Sequence, residues 1–287
     1  MGLSRKDLVE SLRRAGVREG DVLYIRASLG ALGRIDGDIF DVVIGGLREA
    51  VGPSGTILAP AFNKISNIFS RRREVIDLKS TPISGAVSKL LLRDPESQRS
   101  NHPSHSFVAV GPHARALLEG HEASSSCFLP IKKLAEIDGK MILLGCTSES
   151  PGFSTVHVAQ FELGLSRRHF IRFFQRSFIK PLSKIECWRP IESPGCSLSF
   201  GKFYQLYIEQ KNLLSGYIGS AYFLMVPSSR EALAAEMRVL KKSPTFVDCG
   251  RYYCLTCGFR GYQLWKIPMM LVAVLYHRLL KGSNEKI

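Results

Sequence analysis

From Lys6 to Gly145, short runs made wholly of apolar residues alternate with segments whose apolar residues recur at helical spacing. Nothing else in the chain constrains its fold so much. Lys6 to Ala15 puts Leu8, Val9 and Leu12 on one helical face, with Gly16 where a helix ends. Asp21 to Ile25 reads as a buried strand opening into the small-residue loop Ala27-Ser28-Leu29-Gly30. A helix is expected over Phe40 to Val51, punctuated by Gly52-Pro53-Ser54-Gly55 before a strand at Thr56 to Pro60. A further helix at Ser84 to Leu92 and strands at Phe107 to Val110 and Met141 to Gly145 continue the pattern. Alternation of this kind predicts an α/β layered fold.

The basic run Arg167 to Gln175-Arg176, rich in phenylalanine, fits a strand or an amphipathic helix equally by period. A smaller lobe is expected from about residue 165.

With 45% of its 287 residues apolar and 22% charged, the chain can bury a large core and is too apolar for disorder. Its formal charge of +14 favours anionic partners such as nucleotide phosphates, nucleic acid or an acidic membrane surface. The N-terminal residues carry no apolar core of a signal peptide, so a cytoplasmic location is expected. The apolar stretch Ile267 to Tyr276 is half the ~20 residues needed to cross a bilayer. It fits a helix docked on the core or one in peripheral contact with a membrane surface. The seven cysteines read as reduced thiols.

Dinucleotide-binding, phosphate-loop, nucleophile-elbow and zinc-protease signatures are absent. Four local constellations remain. Arg26-Ala27-Ser28-Leu29-Gly30 ends a strand and offers backbone N–H groups and a hydroxyl to a phosphate or thioester oxygen, or is an ordinary turn. Arg99-Ser100-Asn101-His102-Pro103-Ser104-His105-Ser106 crowds donors, acceptors and two imidazoles before a strand, or is a satisfied surface loop. Thr155-Val156-His157-Val158-Ala159-Gln160 carries an imidazole suited to moving a proton at neutral pH, though a lone histidine is commonly structural. Cys249, Cys254 and Cys257 are one ligand short of a zinc or iron–sulfur site. Cys187, Cys196 or His277 would complete it only if the fold brought them close, so buried thiols and no metal are expected.

Taken in order, the first three constellations resemble the aminoglycoside 3-N-acetyltransferase family. The resemblance is carried by Gly20 to Tyr24 with Ser28-Leu29, Val51 to Thr56, Pro60-Ala61-Phe62 and Thr81 to Gly85. It continues through Arg99-Ser100, His102-Pro103, His105-Ser106, Gly111-Pro112, Leu143-Leu144-Gly145, and Thr155 with His157. Weaker echoes are Gly195-Cys196, Phe200-Gly201-Lys202 and Gly216 to Gly219.

The resemblance implies a layered mixed sheet flanked by helices, distinct from the GNAT superfamily. It implies an acyltransferase that moves acetyl from acetyl-CoA to an amino group on an amino sugar, either aminoglycoside-like or nucleotide-linked for surface polysaccharide. His157 would be the general base, with Gln160 beside it. The donor would lie against Arg26, Ala27, Ser28, Leu29, Gly30, Ser84, Gly85, Arg99, Ser100 and Ser106, and the acceptor near His102 and Glu162. Residues 1–260 would form the acetyltransferase domain and 261–287 a C-terminal apolar and basic helix, with no nucleic-acid partner.

The chain departs from the family pattern at three places. Gln160 replaces a common glutamate, so the carboxylate that would orient the histidine is missing, leaving Glu162 or Glu186 to substitute. Arg26-Ala27 replaces a His-Ser pair, and Ser124 to Cys127 replaces a Gly-rich Ser-Pro turn. The competing readings are a Cys146 nucleophile forming an acyl-enzyme, a degenerate CoA-binding member, and a zinc or nucleic-acid-binding module built on the C-terminal cysteines.

Overall fold

A computed structural model describes residues 2–71, 75–180, 184–251, 253–259, 265 and 267–281. Arg72, Arg73, Lys266 and both ends of the expected C-terminal helix lie outside them.

The strands, in chain order, are β1 Val22–Ala27, β2 Thr56–Pro60, β3 Ser66–Asn67, β4 Val75–Ile76, β5 Gln98–Arg99 and β6 Phe107–Val110. They continue with β7 Lys140–Leu144, β8 Gln175–Ile179, β9 Glu186–Trp188, β10 Leu214–Ile218 and β11 Ala221–Val226. Seven form one sheet in the order β10-β11-β7-β1-β2-β6-β5. Its centre, β7-β1-β2, is parallel, and β6 and β11 add antiparallel to either side. β8 organises a small separate sheet, antiparallel to β3 and β9 and parallel to β4.

The central strands are continuous apolar runs because helices cover both faces of the sheet. Along β1 the pleat sends Leu23 and Ile25 into one core, shared with the helices Arg5–Arg14 and Gly46–Val51. Val22 and Tyr24 enter the other, with Ile131, Val156 and Phe203. Arg26 follows Tyr24 on that second face, which places its side chain beside the site described below.

The first helix starts one residue earlier than the periodicity suggests, because Ser4 and Asp7 form a reciprocal capping box. The expected helix from Phe40 begins with a wide π-type turn over Asp41–Gly45. The run from Arg167 is neither of its two expected forms throughout: 3-10 turns at Ser166–Arg168 and Phe170–Phe174 lead into β8. A helix does form at Ile267–Lys281, with Met269, Val272, Leu275 and Tyr276 exposed. No helix of the described residues is long and apolar enough to cross a membrane.

Candidate active site

In a parallel sheet, the crevice where the strand order reverses collects ligands at the carboxyl ends of the strands. Here that point lies between β7 and β1, since the chain runs from β1 outward to β2 and returns on the other side of β1 as β7. A cleft of about 110 Å³ opens there. Tyr24 and Arg26 come from β1, Phe62 from the end of β2, and Ser150, Phe153, Ser154 and His157 from the chain after β7. Phe128, Ser197 and Phe200 complete the lining. Ligand pockets commonly measure ~300–1,000 Å³, so this one has room for the reacting ends of substrates and not for whole molecules.

His157 sits on the helix Thr155–Glu162, held to the core by Val156, Val158 and Ala159. Ser154, at the cap position, makes no cap bond. Its hydroxyl instead shares a 2.9 Å hydrogen bond with the Tyr24 hydroxyl, tying the helix start to β1. The His157 ring stacks on Phe128 at 4.5 Å and meets Phe200 nearly edge-on at 4.7 Å. Gln160, three residues on and fully buried, shares the histidine's helical face. Its Oε1 lies 3.1 Å from His157 Nδ1. With the amide oxygen facing the ring, the contact favours the tautomer that carries its proton on Nδ1 and a lone pair on Nε2.

Burial lowers the His157 pKa to about 3. The bond to Gln160 and the Pro194 carbonyl oppose that shift, while the Arg26 charge adds to it. The ring is neutral throughout the physiological range.

Arg26 does not project freely into the cleft. Its guanidinium donates to the Gly152 carbonyl at 3.1 Å, the Ser150 carbonyl at 3.1 Å and the Ser150 hydroxyl, clamping the loop after β7 against β1. That loop passes close to Phe200: Gly152 has φ +77°, and a Cβ there would lie 2.1 Å from the Phe200 Cβ. The Gly152 N–H donates to Tyr204 OH at 2.6 Å.

The other expected site residues fall into three groups. Ala27, Ser28, Leu29 and Gly30 lie at the end of β1. The Ser28 N–H donates to the Leu144 carbonyl at 2.9 Å, and Leu29 and Gly30 begin a 3-10 turn. Ser84, Arg99, Ser100 and Ser106 have polar atoms engaged by the protein itself. Ser84 Oγ donates to the Pro60 carbonyl at 2.6 Å, beside the open, left-handed Gly85. Arg99 reaches the carbonyls of Leu78, Ser80 and Ala61, the Asn63 side chain and Ser106. Ser106 Oγ donates to the Ala61 carbonyl, and Ser100 Oγ accepts from the Phe107 N–H at 2.8 Å. These residues knit β2, β5 and β6 together.

The third group, His102 and Glu162, does not line the cleft. His102 is buried, stacked on His121 at 4.8 Å, with its pKa lowered to about 3 by burial and then by the His121 charge. Glu162 is at the surface, paired with Lys132 at 2.8 Å, and Glu186 is exposed on β9. Neither supplies the carboxylate that Gln160 lacks.

The buried carboxylates are elsewhere. Glu192 accepts from the Cys127 N–H at 2.6 Å. Glu236 accepts from Thr155 Oγ1 at 2.6 Å and from Tyr207 OH, under the helix that bears His157. Cys146 is buried with its thiol directed at the Arg26 carbonyl, 3.4 Å away, and burial raises its pKa, which disfavours the thiolate a nucleophile requires. Tyr24, Ser150 and Phe200 are cleft residues that no motif singled out for this role.

Among the described residues, two sets of side chains have metal-ligating atoms within 4.8 Å of one another: Cys196, Cys249, Cys254 and Cys257, and His102, His105 and Cys127. The fold brings Cys196 to the trio, whereas Cys187 stands exposed on β9.

Among curated proteins, the chain is 29% identical over 187 residues to aminoglycoside N(3)-acetyltransferase III of a Salmonella species, covering 59% of this chain and 64% of that relative. It is 27% identical over 191 residues to aminoglycoside N(3)-acetyltransferase VIII of Streptomyces fradiae, covering 60% and 66%. The matches thus span just under two thirds of these relatives' lengths. Among solved structures, the aminoglycoside acetyltransferase AAC(3)-IVa apoenzyme superposes with a TM-score of 0.77 at 23% identity, covering 92% of this chain and 98% of that one. The AAC-IIIb binary complex with CoASH does so with a TM-score of 0.68 at 23% identity, covering 84% and 97%. The mixed α/β architecture is theirs. Residues 25–241 match the sequence profile of the aminoglycoside 3-N-acetyltransferases, and the chain belongs to that family.

Proposed function

We propose that this protein transfers acetyl from acetyl-CoA to the amino group of an amino sugar, with His157 as general base. The reading rests on one observation above the rest: a neutral imidazole, its Nδ1 engaged by Gln160, reaches a cleft at the switch point of the sheet. Family membership supplies the reaction class, and the CoASH complex of a structural relative supports the donor.

The amine nitrogen attacks the thioester carbonyl, forming the C–N bond. That nitrogen becomes strongly acidic as it bonds to carbon, so even a ring of depressed basicity can take its proton at Nε2. The tetrahedral intermediate then expels CoA as the C–S bond breaks, and the proton passes to the departing sulfur. Both substrates are bound together and no acyl-enzyme forms. Donor binding along the Ser28 to Gly30 turn and Gly85 places the thioester at the mouth of the cleft, because the cleft itself holds only the reacting ends.

The described lining contains Arg26 and no carboxylate, and the chain carries a formal +14. A polycationic aminoglycoside finds no carboxylate there, whereas the chain's excess of base, and not the Arg26 side chain held by Ser150 and Gly152, favours an amino sugar bearing an anionic group, such as a nucleotide-linked one. Release of free CoA thiol, measured across nucleotide-linked amino sugars, simple amino sugars and aminoglycosides, tests this reading. Turnover with the anionic sugars exceeding that with aminoglycosides is expected. The reverse order would overturn the acceptor assignment, and no turnover with any amine would overturn the activity.

A further inference from the structure

Four cysteines from two distant stretches of chain converge on one point. Cys196 follows Gly195 in the irregular segment after β9, while Cys249, Cys254 and Cys257 come from the stretch after the helix Ser229–Lys242. All four sulfurs lie within 4.8 Å of one another, and those of Cys249 and Cys257 are 3.6 Å apart. A disulfide requires ~2.05 Å, so these are not bonded pairs. A tetrahedron with metal–sulfur bonds of ~2.3 Å places its sulfurs ~3.8 Å apart, within the range found here.

The backbone is shaped for the same end. Gly250, at φ +74°, turns the chain immediately after Cys249. Cys254 stands at the cap position of the short helix Leu255–Gly258, and Cys257 one turn on faces the same way. The Thr256 hydroxyl lies 3.2 Å from the Cys254 sulfur, the kind of outer contact that orients a ligand. Four soft donors around one point suit a closed, redox-silent ion.

We propose that Cys196, Cys249, Cys254 and Cys257 bind one structural Zn²⁺ that fastens the wall of the cleft to the C-terminal segment. On binding, the thiols release their protons and the S₄ site carries two negative charges. The ion acts on the wall through its neighbours in sequence. Ser197 and Phe200, just after Cys196, line the cleft, and the Pro194 carbonyl just before it faces His157. Hydrogen bonds already join the two stretches, from Ser199 Oγ to the Val247 carbonyl and from Lys202 Nζ to the Asp248 carbonyl. The zinc makes that junction rigid and does not touch the reacting atoms.

The test uses the full chain, purified under reducing conditions and equilibrated with Zn²⁺ before dialysis. Elemental analysis should give about one zinc per chain. Replacement by Co²⁺ should give the intense visible and near-ultraviolet absorption of a tetrahedral thiolate site. Cys196→Ser should lose zinc at least tenfold more readily to a chelator, while Cys187→Ser, at the exposed cysteine on β9, should retain it. Should Cys196→Ser fail to fold, the cobalt spectrum of the unaltered chain decides. Three results would overturn the proposal: no retained zinc with all seven thiols reactive, a mass lowered by disulfide formation, or iron with iron–sulfur absorption in place of zinc.

Discussion

Gln160 Oε1 stands 3.1 Å from His157 Nδ1, three residues away on one helix, so a neutral amide orients the ring and no negative charge accompanies it. Burial then acts on the imidazole unopposed by any anion in contact with it, which is why its pKa falls to about 3.

Gln160→Glu should therefore raise the His157 pKa toward neutrality and increase transfer about tenfold, in keeping with the gain expected when a base's pKa approaches the working pH. Imidazole NMR titration alongside the pH dependence of kcat would show both changes. A titration and a rate profile that do not move would remove the Gln160 contact from the mechanism.

His157→Ala should lower kcat by ~10²-fold or more, the usual scale for losing a general base. Calorimetric CoA affinity should stay within a few-fold, since the proposed donor site lies mainly outside the cleft. Undiminished turnover would exclude His157 as the base.

Cys146→Ala should leave transfer nearly intact, because the thiol is buried against the Arg26 carbonyl and its pKa is raised. Loss of activity, with acetyl recoverable on the unaltered protein's Cys146 by mass spectrometry, would establish an acyl-enzyme route instead.

Gly152→Ala should destabilise the fold by ~1–3 kcal/mol through left-handed strain and a clash with Phe200. Activity should fall as well, since the loop and Phe200 both line the cleft. Chemical denaturation and kcat/KM measure the two effects, and an unchanged midpoint would show that the loop can give way.

Glu236 titrates at about 8 in the folded protein against an ordinary 4.5, because burial outweighs its bonds from Thr155 and Tyr207. An unfolded chain ionises this group first, so stability should decline as pH rises from about 4.5 to about 8 and level off above. At ~1.4 kcal/mol per pH step, the change is on the order of a few kcal/mol. Glu236→Gln should flatten that slope in denaturation curves recorded across the window. A slope that persists in the variant would assign it to other groups.

Strands buried on both faces were the most legible elements. Thr56 to Pro60 and Phe107 to Val110 are read directly as unbroken apolar runs, because helices on both sides leave no polar alternation to confuse them. His157 and Gln160 could be paired from their spacing alone. Elsewhere composition is ambiguous about partners. Arg99, Ser100 and Ser106 are dense in donors and acceptors, yet those atoms meet the protein's own backbone, and sequence carries no sign of which partner a polar group will find. Tyr24 and Phe200 reach the cleft through the pleat of β1 and a distant turn. The approach of Cys196 to the later trio depends on long-range packing that no local spacing encodes.

The match to the family stops at residue 241, but the support behind Phe200 does not. Ser199 and Lys202 lean on the carbonyls of Val247, Phe246 and Asp248. A version ending at residue 241 would keep every strand of the main sheet and lose these contacts behind Phe200, so the stretch beyond the matched region props one wall of the cleft.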